Sequence, residues 1–254
     1  MMAVGFPRPL RFALATIIAC LALHAATVVA APLESGRFRV NGVNIHYVLA
    51  GSGTPVVLIH GWHSSIAMNW QAPGIIAALS RNHQVIAIDL PGYGQSDKPG
   101  DEAAYGKQWV DDVIALLDHL GIAKAHIVGY SLGGIIALKF IVDHPDRAIS
   151  GVLGGMGWLP EGGPVEKIWA SMREPGGRSV AQLGLTEAQV RAVKVPVVIL
   201  VGDHDPVRKL YVAPLQRVRP DWPVIDIAGA GHASCIFKTQ FTDEIERWID
   251  ARSR

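Results

Sequence analysis

The chain has 254 residues, of which half are hydrophobic and 18% charged, and its formal net charge at pH 7 is +1. This length and apolar content suffice for one sizeable domain. The near-neutral charge comes without a basic stripe, which argues against a nucleic-acid partner and gives no sign of a charged substrate.

Residues 1–31, called the leader below, have the layout of a secretory signal peptide. Arg8 and Arg11 precede an uncharged apolar run that ends in small residues. This arrangement predicts export to the periplasm or the medium, with cleavage after Ala30 or Ala31.

Two other interpretations of the leader stay open. Its apolar run is longer than most signal-peptide cores, so an uncleaved membrane anchor is one alternative. The residues before Cys20 are similar to a bacterial lipobox, although the apolar run continues well past that cysteine. A cleaved chain keeps only Cys235, which can form no internal disulfide and which we interpret as a small buried hydrophobic residue.

After the leader, strand patterns alternate with helix patterns. Residues 38–49 predict a hairpin with an Asn41-Gly42 turn. Further strands are predicted at 56–59, 84–88, 125–128, 150–153, 195–201 and 223–227, and helices at 70–79, 104–120, 132–142, 207–218 and 241–249. The alternation predicts an α/β fold with a mostly parallel, doubly wound sheet flanked by helices.

One segment, 154–192, breaks this alternation, because it is rich in Gly, Pro and charge and has no strand pattern. We expect one or two short helices there, such as 165–172 and 187–193. Three of its apolar side chains are candidates either for the wall of a substrate pocket or for pins that hold the segment to the core: Met156, Trp158 and Trp169.

The most informative motif is Gly129-Tyr130-Ser131-Leu132-Gly133, which lies between a predicted strand and a predicted helix. Gly-x-Ser-x-Gly in that context is typical of a nucleophile elbow. The serine sits on a strained turn, and bulk at either flanking glycine would collide with the neighbouring strand and helix. The free N–H groups of the helix can stabilise an oxyanion.

Three other segments place suitable partners after strands. His-Gly-Trp at 60–62 can supply a second oxyanion N–H. Gly-Asp-His-Asp at 202–205 carries two carboxylates, and His232 lies in a Gly-rich loop after the last predicted strand. Open α/β sheets place their sites at the carboxyl edge, so we expect these segments to meet Ser131.

These motifs, together with Asp-Leu-Pro-Gly-Tyr-Gly-Gln-Ser-Asp at 89–97, resemble those of the α/β-hydrolase superfamily, in the same order and over essentially the whole chain after the leader. The resemblance implies the α/β-hydrolase fold for 32–254, with a short cap inserted at about 155–192. It is specific for the fold and not for the substrate.

The resemblance also implies a catalytic triad of Ser131, His232 and Asp205, with the backbone N–H groups of Trp62 and Leu132 as the oxyanion hole. Asp203 competes with Asp205, but the family most often uses the last residue of Gly-x-x-Asp. We then expect Asp203 to accept hydrogen bonds from the turn backbone. Neither a metal nor another cofactor is expected.

Two further residues near these motifs have structural interpretations. His60 is expected to buttress its loop rather than to bind a metal, since no third ligand with suitable spacing accompanies it. Ser96 lacks the start of a helix that an elbow needs, so Ser131 is the better candidate for the nucleophile.

The predicted function is an exported serine hydrolase that cleaves a small-molecule or lipid ester through an acyl-enzyme. Alternatives with the same triad are hydrolysis of a C–C bond in a diketone, which the short cap disfavours, and perhydrolase-like chemistry. A non-catalytic ligand sensor on the same fold is an alternative from another class. The serine argues against haloalkane dehalogenase and epoxide hydrolase chemistry, for which the resemblance implies Asp at that position. Membrane contact is expected only through an uncleaved leader or a lipid anchor.

Overall fold

The structure is a computed structural model that describes residues 32–253, so the leader and its predicted cleavage site lie outside the described residues. None of the helices in the described part has both the length and the apolar character needed to cross a bilayer.

An eight-stranded sheet forms the centre of the fold. Its strands are β1 (Glu34–Val40), β2 (Val43–Ala50), β3 (Thr54–Ile59), β4 (His83–Ile88), β5 (Ala125–Tyr130), β6 (Ala148–Gly154), β7 (Val197–Gly202) and β8 (Val224–Ile227). Their spatial order is β1-β2-β4-β3-β5-β6-β7-β8. Strands β3 to β8 run parallel, and β1 and β2 are antiparallel to their neighbours. The predicted mostly parallel sheet is confirmed.

The β1–β2 hairpin is also confirmed. Asn41 and Gly42 both have positive φ, 49° and 81°. Two central residues with positive φ define the hairpin turn whose twist matches that of the paired strands.

The described residues contain eight α-helices. They are α1 (Ile75–Leu79), α2 (Lys107–His119), α3 (Leu132–Asp143), α4 (Pro164–Ala170), α5 (Pro175–Ser179), α6 (Glu187–Ala192), α7 (Ala213–Val218) and α8 (Thr239–Asp250). One apolar core cluster contains residues of α2, α3 and α7, and a second contains residues of α1 and α8. Strands buried on both faces are typical of a doubly wound sheet, and β5 and β7 are buried at every position.

Two predicted helices differ from those in the structure. The helix predicted at 70–79 is divided into a π-helical turn, Ala67–Gln71, and α1, because Gly74 between them has a φ of 80°. The helix predicted at 207–218 begins as a second π-helical turn, Arg208–Val212, before α7.

The segment predicted to hold one or two short helices contains three, α4, α5 and α6, and a 3₁₀ turn at Val180–Leu183. Thr186 caps α6 in a reciprocal capping box with Gln189, which stabilises a helix of only six residues. An isolated bridge joins Pro160 to Leu185 across the segment.

Candidate active site

Ser131 lies at the junction of β5 and α3 with a φ of 55° and a ψ of −121°, outside the regions that side-chain-bearing residues prefer. A Cβ atom at Gly129 would overlap the carbonyl oxygen of Gly133, and one at Gly133 would overlap that of Ile59. Only glycine therefore allows α3 to begin this close to β5 and β3. The tight turn holds Ser131 at the carboxyl edge of the sheet.

The structure brings Ser131, His232 and Asp205 into one hydrogen-bonded chain. His232 Nε2 lies 2.9 Å from Ser131 Oγ, and His232 Nδ1 lies 2.8 Å from Asp205 Oδ2. Asp205 is only 4% exposed, and its second oxygen accepts a 3.0 Å hydrogen bond from the N–H of Val207. A carboxylate on Nδ1 favours the tautomer with the proton on Nδ1, which leaves Nε2 free to accept the proton of Ser131.

Asp203 lies beside this chain but has different partners. It accepts hydrogen bonds from the N–H groups of Gly229, at 2.9 Å, and Ala230, at 3.0 Å. These two bonds hold the pKa of its carboxyl below the usual value. Asp203 thus ties the turn after β7 to the loop that carries His232.

The two N–H groups predicted to form the oxyanion hole have no hydrogen-bond acceptor in the described part of the chain. Within residues 32–253, neither the N–H of Trp62 nor that of Leu132 donates a hydrogen bond to the chain. Leu132 is the first residue of α3, where N–H groups have no partner inside the helix. The N–H of Gly61 is held separately by Asn69 Oδ1 at 2.8 Å, which fixes the loop before Trp62.

His60 has the buttressing position that the sequence predicts. Its Nδ1–H donates to the carbonyl oxygen of Gly61 at 2.8 Å, and its Nε2 accepts from the N–H of Leu90 at 3.1 Å. Burial lowers the pKa of the imidazole, which therefore stays neutral. The ring joins the loop after β3 to the loop after β4.

The loop at 89–97 is likewise structural. Asp89 accepts hydrogen bonds from the N–H groups of Ile66 and Gln95 and from Nδ1 of His46. The buried hydroxyl of Ser96 donates to the Asp89 carbonyl oxygen. Ser96 has no contact with His232.

A cleft of about 300 Å³ opens in front of Ser131 and is called the Ser131 cleft below. Met68 and Phe237 lie on its walls and are themselves 58% and 59% exposed. Its lining contains no Asp, Glu, Lys or Arg side chain. The lining residues are Gly61, Trp62, His63, Ser64, Met68, Asn69, Tyr130, Ser131, His232, Ala233, Ile236 and Phe237.

The three predicted pocket residues lie outside this lining. Met156 is buried against Gly134 of α3, and Trp158 is buried with its Nε1–H donating to Leu185. Both side chains belong to the larger core cluster, so they hold the segment after β6 to the core. Trp169 packs on Trp62 at 5.4 Å between ring centroids and so supports the wall from behind.

Sequence reasoning missed Tyr130. Its hydroxyl donates to the carbonyl oxygen of His232, and its ring stacks on the imidazole at 5.8 Å. Burial raises the pKa of this phenol, which keeps the donor proton in place. No local signal identifies such a bond, since its partners are about a hundred residues apart in the chain.

Cys235 follows in the 3₁₀ turn Cys235–Phe237, just before α8 rather than within it. Burial raises the pKa of its thiol to about 12, so it is protonated and inert at neutral pH. Over the described part of the chain, no group of three or more His, Cys, Asp and Glu side chains is arranged to hold a metal ion.

Residues 54–156 match the family model described as the alpha/beta hydrolase fold. A 2-hydroxymuconate semialdehyde hydrolase of Pseudomonas sp. (strain CF600) is 29% identical over 69% of this chain and 65% of its own length. A soluble epoxide hydrolase of Corynebacterium sp. (strain C12) is 42% identical over 42% of this chain and 36% of its own. A pimeloyl-[acyl-carrier protein] methyl ester esterase of Aeromonas hydrophila subsp. hydrophila is 38% identical over 38% of this chain and 35% of its own.

The matches therefore cover less than two thirds of the length of each of these three relatives. Among solved structures, the 2-hydroxy-6-oxo-6-phenylhexa-2,4-dienoate hydrolase of Rhodococcus sp. strain RHA1 superposes with a TM-score of 0.70 at 21% identity, over 87% of this chain and 99% of that one. This likeness concerns the fold, and it extends beyond residues 54–156 to almost the whole described chain. With its eight-stranded sheet and its serine elbow, the chain has the α/β-hydrolase fold, and residues 54–156 match the model of that family.

Proposed function

We propose that this protein is a serine hydrolase that cleaves an uncharged carboxylic ester through an acyl-enzyme. The observation that carries the proposal is the chain from Ser131 Oγ to His232 Nε2 and from His232 Nδ1 to Asp205, which ends at an open cleft. A nucleophile, a base within hydrogen-bond reach and a group that orients the base are the parts that acyl transfer requires.

In the proposed acylation step, Ser131 Oγ attacks the ester carbon while His232 Nε2 takes its proton. Asp205 stabilises the resulting imidazolium, and the N–H groups of Trp62 and Leu132 stabilise the oxyanion. When the tetrahedral intermediate collapses, the C–O bond to the alcohol breaks and His232 gives its proton to the leaving oxygen. Water, activated by the same histidine, then hydrolyses the acyl-enzyme and restores the Ser131 hydroxyl.

The lining of the Ser131 cleft supports an uncharged substrate. It offers apolar contacts from Trp62, Met68, Ile236 and Phe237 and contains neither Lys nor Arg. A substrate carboxylate in such a cleft would lose its hydration without gaining an ion pair, which costs several kcal/mol. A neutral acyl chain loses nothing comparable and gains the hydrophobic contacts.

Hydrolysis of a C–C bond is the second candidate. It is favoured by the relative named as a 2-hydroxymuconate semialdehyde hydrolase, which matches more of this chain than the other two relatives do. The solved neighbour named for a dienoate acts on a substrate that carries a carboxylate. The absence of Lys and Arg from the lining of the cleft disfavours such an anionic substrate here.

Two matched esters test whether the cleft prefers an uncharged substrate to one that carries a carboxylate. Para-nitrophenyl butyrate and the mono-para-nitrophenyl ester of succinic acid have acyl chains of equal length, but only the second carries a carboxylate. We expect kcat/KM to be at least about tenfold higher for the butyrate, which corresponds to roughly 1.4 kcal/mol of discrimination. Turnover of both esters should vanish in Ser131→Ala.

Three results would contradict the proposal. Faster consumption of a 2-hydroxy-6-oxo-dienoate than of any ester would favour the C–C hydrolase. Equal turnover of the two esters would remove the argument from charge. A single slow turnover without recovery would favour the ligand sensor.

We also propose that the protein is exported. The proposal is supported by Arg8 and Arg11 before the apolar run of the leader and by the small residues that close it. N-terminal analysis of the product should find a start at Ala31 or Pro32. A start at Met1 would indicate an anchor instead, and a diacylglyceryl mass on Cys20 would indicate a lipoprotein.

A further inference from the structure

A second cavity, of about 420 Å³, shares no residue with the lining of the Ser131 cleft. The β1–β2 turn forms one wall, two prolines of the loop after β4 form another, and the turn before α2 and the first part of α2 form the third. The lining residues are Val40, Asn41, Gly42, Val43, Pro91, Pro99, Asp101, Ala103, Ala104, Gln108 and Asp112. Its volume lies within the range of sites that bind small molecules.

Asp112 is the unusual member of this lining. It is only 2% exposed, and one of its oxygens, Oδ1, accepts a 2.9 Å hydrogen bond from Gln108 Nε2. Its other oxygen, Oδ2, is buried and has no hydrogen-bond partner in the described structure. Buried carboxyl oxygens are nearly always paired, so an orphaned one at a cavity indicates a missing partner.

No cationic side chain pairs with Asp112 in the described structure. Lys107 of the same helix pairs at 3.4 Å with Asp111, which faces solvent, and not with Asp112. Asp101 lines the cavity from the preceding loop, and its side chain caps the N–H of Ala103. The lining includes two acidic residues, Asp101 and Asp112, and no Lys, Arg or His.

The remaining walls are mainly apolar, with valine, proline and alanine side chains. A bare metal ion does not fit this setting, because the cavity is far larger than an ion and the described residues hold no cluster of three ligands. A neutral apolar molecule would leave Asp112 without a partner. We propose that this cavity is a binding site for a small organic ammonium ion, whose charged group pairs with Asp112 and whose apolar body lies against Val43, Pro91 and Pro99.

Binding to this site is coupled to a proton. Burial, opposed by the Gln108 hydrogen bond and assisted by the nearby Asp111, raises the pKa of Asp112 to about 7. An ammonium ion pairs only with the ionised carboxylate, so its binding releases the Asp112 proton. The affinity therefore rises between about pH 6 and about pH 8, as the carboxylate becomes ionised without the ligand's help.

Benzylammonium and benzyl alcohol form a matched pair of probes, because they have nearly the same shape and differ in charge. Calorimetric titration of the full-length protein should give a dissociation constant at least about tenfold lower for benzylammonium. Asp112→Asn should weaken benzylammonium by about tenfold or more and remove its pH dependence. Asp146→Asn changes an exposed carboxylate that does not line the cavity and should leave the binding within about twofold.

A second variant keeps the test valid if Asp112→Asn fails to fold. Ala104→Phe fills the cavity without changing charge and should also abolish benzylammonium binding. The proposal is overturned if the two probes bind equally or not at all, or if benzylammonium binds Asp112→Asn or Ala104→Phe as tightly as the unchanged protein.

Discussion

At the scale of single residues, the two carboxylates after β7 differ in their hydrogen-bond partners and therefore in what they can do. Asp205 is buried and bonds the ring of His232, whereas Asp203 bonds the backbone N–H groups of Gly229 and Ala230. Only the first contact can stabilise an imidazolium, so only Asp205 can affect the proton transfer directly. The second contact holds the loop.

Replacement of each carboxylate by its amide tests this division. Asp205→Asn should lower kcat by roughly 10⁴-fold, because the amide favours the wrong tautomer of His232. Asp203→Asn should lower the melting temperature and change kcat much less. Steady-state kinetics and thermal melts of both variants check the prediction, and a larger loss of kcat in Asp203→Asn would move the acid to that residue.

Tyr130 adds a contact that the triad pattern does not contain. In Tyr130→Phe the ring still stacks on His232, but the His232 carbonyl oxygen loses its donor. A lost hydrogen bond of about 1 kcal/mol predicts a fall in kcat of about fivefold, with KM unchanged and a shifted pH profile. An unchanged kcat and pH profile would show that the loop is held without this bond.

At the scale of elements, the site depends on how closely α3 approaches β5 and β3. Gly129 allows that approach, since any Cβ there overlaps the backbone at Gly133. Gly129→Ala should therefore destabilise the fold by about 3 kcal/mol or more and abolish activity. Gly100→Ala, where no atom lies within 4 Å of the added Cβ, is the matched control and should melt within a few degrees of the unchanged protein.

Local patterns in the sequence predict most of these elements. Runs of β-branched residues indicate β3, β5 and β7, and Asn41-Gly42 fixes the hairpin through its two positive φ angles. The prediction of one helix at 70–79 was wrong. It followed the apolar periodicity of the segment, although Pro73 and Gly74 interrupt the helix. Periodicity reports which face of a segment is buried, while the backbone at a single glycine decides whether the helix continues.

The sequence also predicts some parts of the candidate active site and not others. Strand ends and motif order bring Ser131, His232 and Asp205 together, since parallel strands finish at one edge. The walls of the Ser131 cleft come instead from Met68 and Phe237, which lie in turns of no distinctive composition. Met156 and Trp158 were candidates for a pocket wall because they are large and apolar. Both are buried in the core, which accounts for their apolar character without contact with a substrate.

At the scale of the whole molecule, a buried histidine links the start of β5 to the residues that follow the last helix. His126 Nδ1 lies 2.7 Å from Ser150 Oγ, and its Nε2 lies 3.1 Å from Ser253 Oγ. Desolvation, assisted by His83 and Arg252, lowers the pKa of His126 to about 4. The neutral imidazole is therefore the form that the fold accommodates.

This pKa makes stability depend on pH in one direction. In the unfolded chain His126 is protonated below about pH 6.5, whereas in the folded protein it is protonated only below about pH 4. The unfolded state therefore binds more protons in this window, and the free energy of unfolding falls as the pH drops through it. His126→Gln cannot titrate and should show a weaker pH dependence, by up to about 3 kcal/mol. Urea unfolding at several pH values compares the slopes, and equal slopes would refute the assignment.

Labelling by a fluorophosphonate tests whether Ser131 is the nucleophile. We expect one adduct per chain, mapped by peptide mass to Ser131, with loss of ester turnover in proportion to the label. We expect neither label nor turnover in Ser131→Ala. Full ester turnover in that variant, or an adduct on another residue such as Ser96, would contradict this assignment.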